Sequence, residues 1–196
     1  MTERTSPSGT TSGALNLLDP AVAQAYCADS RARTDAVEKA VPEADRSFQS
    51  LLARRVKTAP TRPLVSIGGT QLTAVELSDY AARFGGVLAS SGIGRNDTVA
   101  IICGNRIEFP KLLAAISWVG AVSVPINTAS RGAQLQHILS NSAAKVLILE
   151  ARYLEAFSTV DRAELPLETI YVLDCEDEGA LPPGFAPLPP LGAPVA

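Results

Sequence analysis

Cysteine, histidine and tryptophan are scarce, at three, one and one in 196 residues. Cys27, Cys103 and Cys175 lie far apart and form no C-x-x-C pair, so no disulfide framework or zinc ribbon is indicated. A single histidine, His137, makes a zinc site improbable on this chain alone. The odd, sparse cysteine count fits a reducing compartment. An excess of charge is missing too: 17 Lys+Arg against 20 Asp+Glu leave a net charge of −3, no basic field for nucleic acid. No apolar run approaches the roughly 18 residues that cross a bilayer. The first residues lack a basic segment followed by an apolar one, because Asn16 and Asp19 interrupt the only candidate. The expectation is a cytoplasmic chain with neither a nucleic-acid nor a membrane partner. Disorder throughout is excluded, since 46% of the residues are hydrophobic and the net charge is small.

What is present divides into three parts: 1–45, 46–175 and 176–196. Residues 1–14 are rich in Ser, Thr and Gly and read as a flexible tail. Asp19-Pro20 opens a charged, Ala-rich helix to about Lys39, with a thin apolar stripe of Val22, Tyr26 and Val37. Phe48, Leu51, Leu52 and Val56 then fall at helical spacing before Pro60 and Pro63. Two short strands follow, joined by Gly68-Gly69. Thr73-Ala-Val-Glu76 is a capping box, and Leu72 and Leu77 stand where a hydrophobic staple would. The helix it opens carries Leu77, Tyr80, Ala81, Phe84, Val87 and Leu88 as one stripe and stops at Gly92.

A repeated alternation comes next. The run 98–103 is short, apolar and rich in β-branched residues, as a strand buried on both faces must be, and 121–126, 145–149 and 169–173 read as further strands. Helical stripes separate them: Phe109 to Val119, Leu135 to Leu139 starting near Ser130, and Tyr153 to Phe157. Strand–helix–strand spacing forces parallel pairing, and right-handed crossovers put helices on both faces. The expected fold is α/β: a doubly wound, mostly parallel sheet preceded by a small β-hairpin. Six of the 14 prolines crowd into residues 182–194, which reads as a linker-like tail over 176–196.

Each chemical motif has a plainer reading beside it. Ser8-Gly-Thr-Thr-Ser-Gly13 has phosphate-loop composition, but no strand precedes it and the nearest lysine downstream is Lys39. Gly92-Ile-Gly94 follows a helix, whereas a dinucleotide fingerprint follows a strand. Ser142-Ala-Ala-Lys145 imitates S-x-x-K with its serine at the wrong end of a helix. His137 sits beside an apolar stripe with no partner and reads as a surface or boundary residue. Cys103 ends a strand, where α/β sheets gather ligands, yet Arg106 and Glu108 nearby are opposite in sign, so a structural thiol is expected. Asn105-Arg-Ile-Glu108 reads as a second capping box, perturbed by Pro110. No catalytic, cofactor-binding or metal residue is assigned.

Four stretches, in order, resemble the adenylate-forming, AMP-binding superfamily of acyl-CoA synthetases, peptide-synthetase adenylation domains and beetle luciferases. Gln71 to Tyr80 is similar to its L-T-Y-x-E-L opening, and Gly92 to Ile102 to G-V-x-x-G-D-x-V-A-I. Asn105 to Asn127 resembles N-x-x-E-F followed by K-x-G-A-x-x-V-P-I/L-N, and Gln134 to Ile148 resembles E-L-x-x-I-L-x-x-S-x-A-K-V-L-I. The resemblance covers roughly residues 46–175.

It implies an N-terminal part of an acid–CoA ligase of fatty-acid type. The full enzymes of that family use ATP, Mg²⁺ and CoA to pass an acid through an acyl-adenylate to a thiol. The family's S-G-T-T-G-x-P-K-G loop is expected just after a Pro-rich connection like 180–194, so the chain reads as truncated before it and inactive alone, with no cofactor of its own. Two other readings stand beside this one. The chain could be an assembly module completing a separate polypeptide (the remainder of the ligase, or a second copy), or a small nucleotide-binding protein using the strand ends near Cys103 and Asn127. The acid is not specified by the residues present.

Overall fold

The computed structural model describes residues 19–175, 177, 179 and 181–195. The tail expected at residues 1–14, and with it Ser8–Gly13, lies outside the described residues. Two units divide the chain, Met1–Arg46 and Ser47–Ala196. The first holds helix α1 (Pro20–Ala40) and a short 3-10 turn (Glu43–Asp45). Asp19 caps α1 by accepting the Ala21 N–H at 2.8 Å, and most of the helix is exposed.

In the second unit, Ser47 opens helix α2 (Phe48–Thr58) by accepting the Ser50 N–H at 3.1 Å. Strands β1 (Pro63–Ile67) and β2 (Thr70–Thr73) form the expected antiparallel hairpin. Gly68 and Gly69 take φ of +58° and +82°, the paired positive angles that fit a two-residue turn to twisted strands. Helix α3 (Ala74–Ser90) starts on the capping box as read: Glu76 N–H donates to Thr73 Oγ1 at 3.2 Å, and Thr73 N–H donates to Glu76 Oε2 at 2.8 Å.

That box should be visible in acid. The Thr73 backbone N–H and then its hydroxyl hold the Glu76 carboxyl below its ordinary 4.5. A lowered folded-state pKa contributes stability that is present above the unfolded value and lost as pH falls through the folded one. Thr73→Ala is therefore expected to destabilise by about 1 kcal/mol at neutral pH and to narrow its gap to wild type below pH ~4. Thermal melts against pH check this; parallel pH curves for the two proteins would refute it.

Five strands make the main sheet: β3 (Thr98–Ile102), β4 (Val122–Pro125), β5 (Val146–Glu150), β6 (Thr169–Leu173) and β7 (Phe185–Pro187). All neighbours are parallel and the order is β4-β3-β5-β6-β7. Helices α4 (Glu108–Trp118), α5 (Gly132–Ser142) and α6 (Leu154–Phe157) fill the crossovers. Side chains alternate across each strand. Val99, Ile101, Val146 and Ile148 meet Phe84 and Leu88 of α3 and Leu112 and Ile116 of α4. Ala100, Ile102, Leu147 and Leu149 meet Leu135 and Leu139 of α5 and Phe157 of α6. Helices thus cover both faces, which is the doubly wound architecture.

Three local expectations are corrected. Helix α4 does not start on an Asn105 box: its N-cap is Ile107, in helical conformation with no side-chain cap. Arg106 Nε donates to Glu108 Oε2 at 2.5 Å, which turns that carboxylate toward the arginine rather than the Asn105 N–H. Helix α5 is preceded by Arg131, not capped by Ser130, and its Gly132 N–H donates to Thr159 Oγ1 at 2.9 Å.

The third correction concerns the proline-rich end. It is not linker throughout, because residues 185–187 add β7 beside β6 with Pro187 opposite Val172. An edge strand has one unpaired side, and a residue without an N–H is tolerated there. Further on, Val195 N–H donates to the Ala82 carbonyl at 3.1 Å and Trp118 Nε1 donates to Val195 O at 3.0 Å. The segment lies so close to α3 that a Cβ on Gly86 would stand 2.5 Å from Ala193 O.

Candidate functional site

In chain order the parallel strands run second, first, third, fourth, fifth across the sheet. That order reverses direction between β3 and β5, and in open α/β sheets ligands bind beyond the carboxyl ends of strands at such a point. A cleft of about 440 Å³ lies there, between Cys103-Gly104-Asn105 after β3, residues 125–128 after β4, and Arg152-Tyr153 after β5. It brings together Cys103 and Asn127, the two positions that a nucleotide-binding reading would use. His137 is exposed on α5, and Ser142 ends that helix. Cys27 is exposed, and Cys175 is half-buried on the far side of β6 in sequence.

Charge at the cleft is organised around a buried carboxylate. Glu150, 5% exposed, is the last residue of β5. Its Oε2 accepts the Gly104 N–H at 2.9 Å and so bridges the ends of β3 and β5. Arg152 Nε lies 2.7 Å and Arg106 Nη1 3.3 Å from Glu150 Oε1. Arg106 also binds Glu108 and forks onto Asp174, whose Oδ1 accepts from Nη2 at 3.1 Å. Those hydrogen bonds to Asp174 and then Glu108 hold the Arg106 guanidinium charged far above its ordinary range. The Arg152 guanidinium lies over Gly104, in the space a Cβ there would take.

The two arginines are therefore matched by three carboxylates. Burial, and then the Glu150 charge, push the Cys103 thiol up to about 12, so it stays protonated at neutral pH. That agrees with a structural thiol rather than a nucleophile. Sequence reading missed Glu150, Arg152 and Asp174. The available signal was a lone carboxylate ending the apolar run 145–149, directly where a switch-point crevice opens.

A family model for AMP-binding enzymes matches residues 52–185. The chain belongs to the AMP-binding enzyme family. The medium/long-chain-fatty-acid–CoA/3-oxocholest-4-en-26-oate–CoA ligase of Mycolicibacterium smegmatis is 30% identical over 128 residues, 65% of this chain and 23% of that one. A feruloyl-CoA synthase of Amycolatopsis is 33% identical over 125 residues, 64% of this chain and 26% of that one. Among solved structures, a fatty acyl CoA synthetase of Mycobacterium tuberculosis superposes with TM-score 0.56 at 28% identity, covering 64% of this chain and 26% of that one. A benzoate CoA ligase of Burkholderia xenovorans shares the fold, with TM-score 0.58 at 19% identity over 64% of this chain and 25% of that one. The chain thus spans about a quarter of the length of these relatives. Among its described residues no helix is long and apolar enough to cross a membrane.

The family's Mg²⁺ finds no fit at this cleft. No three His, Cys, Asp or Glu side chains among the described residues are grouped to hold a metal ion. Around Arg106 each carboxylate already faces a guanidinium.

Proposed function

We propose that this chain is the N-terminal α/β part of an ATP-dependent carboxylic acid–CoA ligase, and that by itself it is a scaffold without adenylating activity. The observation that carries this reading is the Glu150 bridge. Phosphate sites in α/β folds offer free backbone N–H groups and surplus positive charge at the strand ends. Here the Gly104 N–H is taken by a carboxylate of the same chain, and Arg106 and Arg152 are neutralised by their neighbours. Arg152, the one charged side chain among the described residues lining the cleft, is already paired with Glu150, so a triphosphate would find no free cation there. No S-G-T-T-G-x-P-K-G run occurs in the 196 residues. Adenylation relies on such groups to position and stabilise the transferring phosphoryl centre.

This reading requires the remainder of the ligase fold to complete the site, and ATP and CoA would be the substrates of the two together. The relatives that act on medium- and long-chain fatty acids, with the aromatic-acid ligases beside them, support a hydrophobic acid as the acyl donor. ATP–pyrophosphate exchange tests the reading, using the purified chain, shown folded by far-UV circular dichroism, and a panel of aliphatic and aromatic acids. Exchange no faster than the no-enzyme control is expected. Acid-dependent turnover by the chain alone would overturn it.

A further inference from the structure

Helix α3 carries two adjacent glycines, Gly85 and Gly86, in its interior, where only proline is less favourable. Gly85 serves helix packing: a Cβ there would lie 3.3 Å from Trp118 Cδ1 and Val119 Cγ1 of the α4 end. Gly86 answers to the C-terminal segment instead. A Cβ there would stand 2.5 Å from Ala193 O, a backbone atom that no rotamer change can move aside.

That segment is attached at its two ends. Leu188 N–H donates to Val172 O at 2.8 Å, continuing the β6–β7 ladder, and the Leu188 side chain packs on the sheet-facing core. Seven residues later Val195 N–H donates to Ala82 O at 3.1 Å, and Val195 O accepts from Trp118 Nε1 at 3.0 Å. Among the described residues, 189–194 form no hydrogen bond within the chain. Pro189, Pro190 and Pro194 have no N–H to give. Leu191 is exposed, and a concavity of about 380 Å³ remains between Gly192, Ala193 and Val195 on one side and Val87, Ser91 and Tyr171 on the other. Few buried contacts and few hydrogen bonds are the marks of a unit that opens separately from the rest of a fold.

We propose that residues 189–195 are a strap that closes in cis over the Ala82–Gly86 surface of α3, lifts as a unit while the sheet stays folded, and so uncovers a surface for an extended, proline-rich segment of small residues. The strap itself shows the recognition chemistry. It supplies one backbone N–H to the Ala82 carbonyl, one backbone carbonyl to the Trp118 indole, and a close backbone passage over Gly86. Prolines hold such a segment extended before it binds, which lowers the ordering cost. Tethering gives the strap an effective concentration of about millimolar, so in cis it excludes a competing segment until it lifts. The device is separate from the strand-end cleft, and it stands whether or not the chain alone has ligase activity.

The indole N–H of Trp118, the sole tryptophan, gives one proton signal that reports the strap in the intact chain by NMR. In Gly86→Ala that signal should move and its exchange with solvent should speed up about tenfold, the loss of one hydrogen bond. The urea midpoint should not fall, because alanine favours the helix. Val195→Pro removes the N–H donated to Ala82 and leaves α3 unaltered, and it should move the indole signal in the same way. A synthetic peptide of residues 188–195 should then return the signal saturably toward its wild-type position in Val195→Pro. It should do nothing in Gly86→Ala, whose surface is blocked, or in the wild type, whose own strap is seated. An indole signal unchanged in both variants would overturn the proposal. So would a change that comes only with a lowered urea midpoint, which would make the segment part of the global folding unit. Peptide rescue that is absent in Val195→Pro, or equal in the two variants, would overturn the uncovered surface.

Discussion

Replacing Glu150 by alanine is expected to cost about 3 kcal/mol, the lower end for breaking a buried ion pair from one side. The carboxylate is buried, and its removal takes an acceptor from three groups at once: the Gly104 N–H, Arg106 Nη1 and the Arg152 guanidinium. Arg152 is largely exposed and can turn to water, and Arg106 keeps Glu108 and Asp174, which is why the higher end of that range does not apply. The backbone N–H of Gly104 cannot turn away and must take water from the cleft in place of the carboxylate. Glu150→Gln retains an oxygen for that N–H and loses the charge, so its cost should fall between wild type and Glu150→Ala. Urea denaturation of the three proteins measures the series. A midpoint for Glu150→Ala equal to wild type would mean that the bridge holds nothing together. The same substitution exposes the Gly104 N–H beside two freed guanidiniums, so a gain of phosphate or nucleotide binding in Glu150→Ala is the functional counterpart to look for.

Phe84→Ala is expected to be more damaging still, at about 3–5 kcal/mol. Phe84 has no exposed surface; it packs from α3 into the sheet-facing layer and stacks on Tyr80 with centroids 5.7 Å apart. Its neighbours Leu88, Leu112 and Ile116 are equally enclosed and cannot close the void without moving a helix. Set against a total of about 5–15 kcal/mol for a typical domain, such a loss leaves a partly unfolded population at ordinary temperature. Calorimetric melting would show it as a large drop in transition temperature. A drop of only a degree or two would mean that the α3–α4 layer adapts, and the rigidity assigned to this face would be wrong. Tyr80 adds a spectroscopic check. Burial, and then the Glu108 charge, raise its phenol well above the ordinary range in the folded chain. A tyrosine that ionises at lower pH in Phe84→Ala than in wild type would report the opened layer.

The elements of this fold were legible in short windows of sequence. Thr73 and Glu76 sit three apart because a helix start brings those two positions together, and the box they predict is the box that forms. Gly68-Gly69 announces a turn that needs two positive φ angles, and both occur. The β-branched run 98–103 predicts a strand enclosed on both faces, and apart from Thr98 each of its residues is buried. Asn105 fails for a reason equally local in origin: a capping box assumes a free Glu108, and Arg106, two residues before it, holds that carboxylate instead. The density of prolines misled in a similar way. It excludes a central strand, but an edge strand three residues long needs few donors, and β6 had an open side to receive it.

Residue order alone therefore establishes the α/β alternation, the caps and turns that delimit it, and the membership of a family whose landmarks recur in this succession. Each of these depends on neighbours a few positions apart, where helical and extended periodicities act directly. Glu150 reaching Gly104, Arg106 reaching Asp174 and Val195 reaching Trp118 belong to folding in three dimensions. These groups are tens of residues apart along the chain, and which strand ends and helix faces converge is set by crossover topology and packing. No local pattern records that convergence, and it decides that the charges beside the strand-end cleft are paired among themselves.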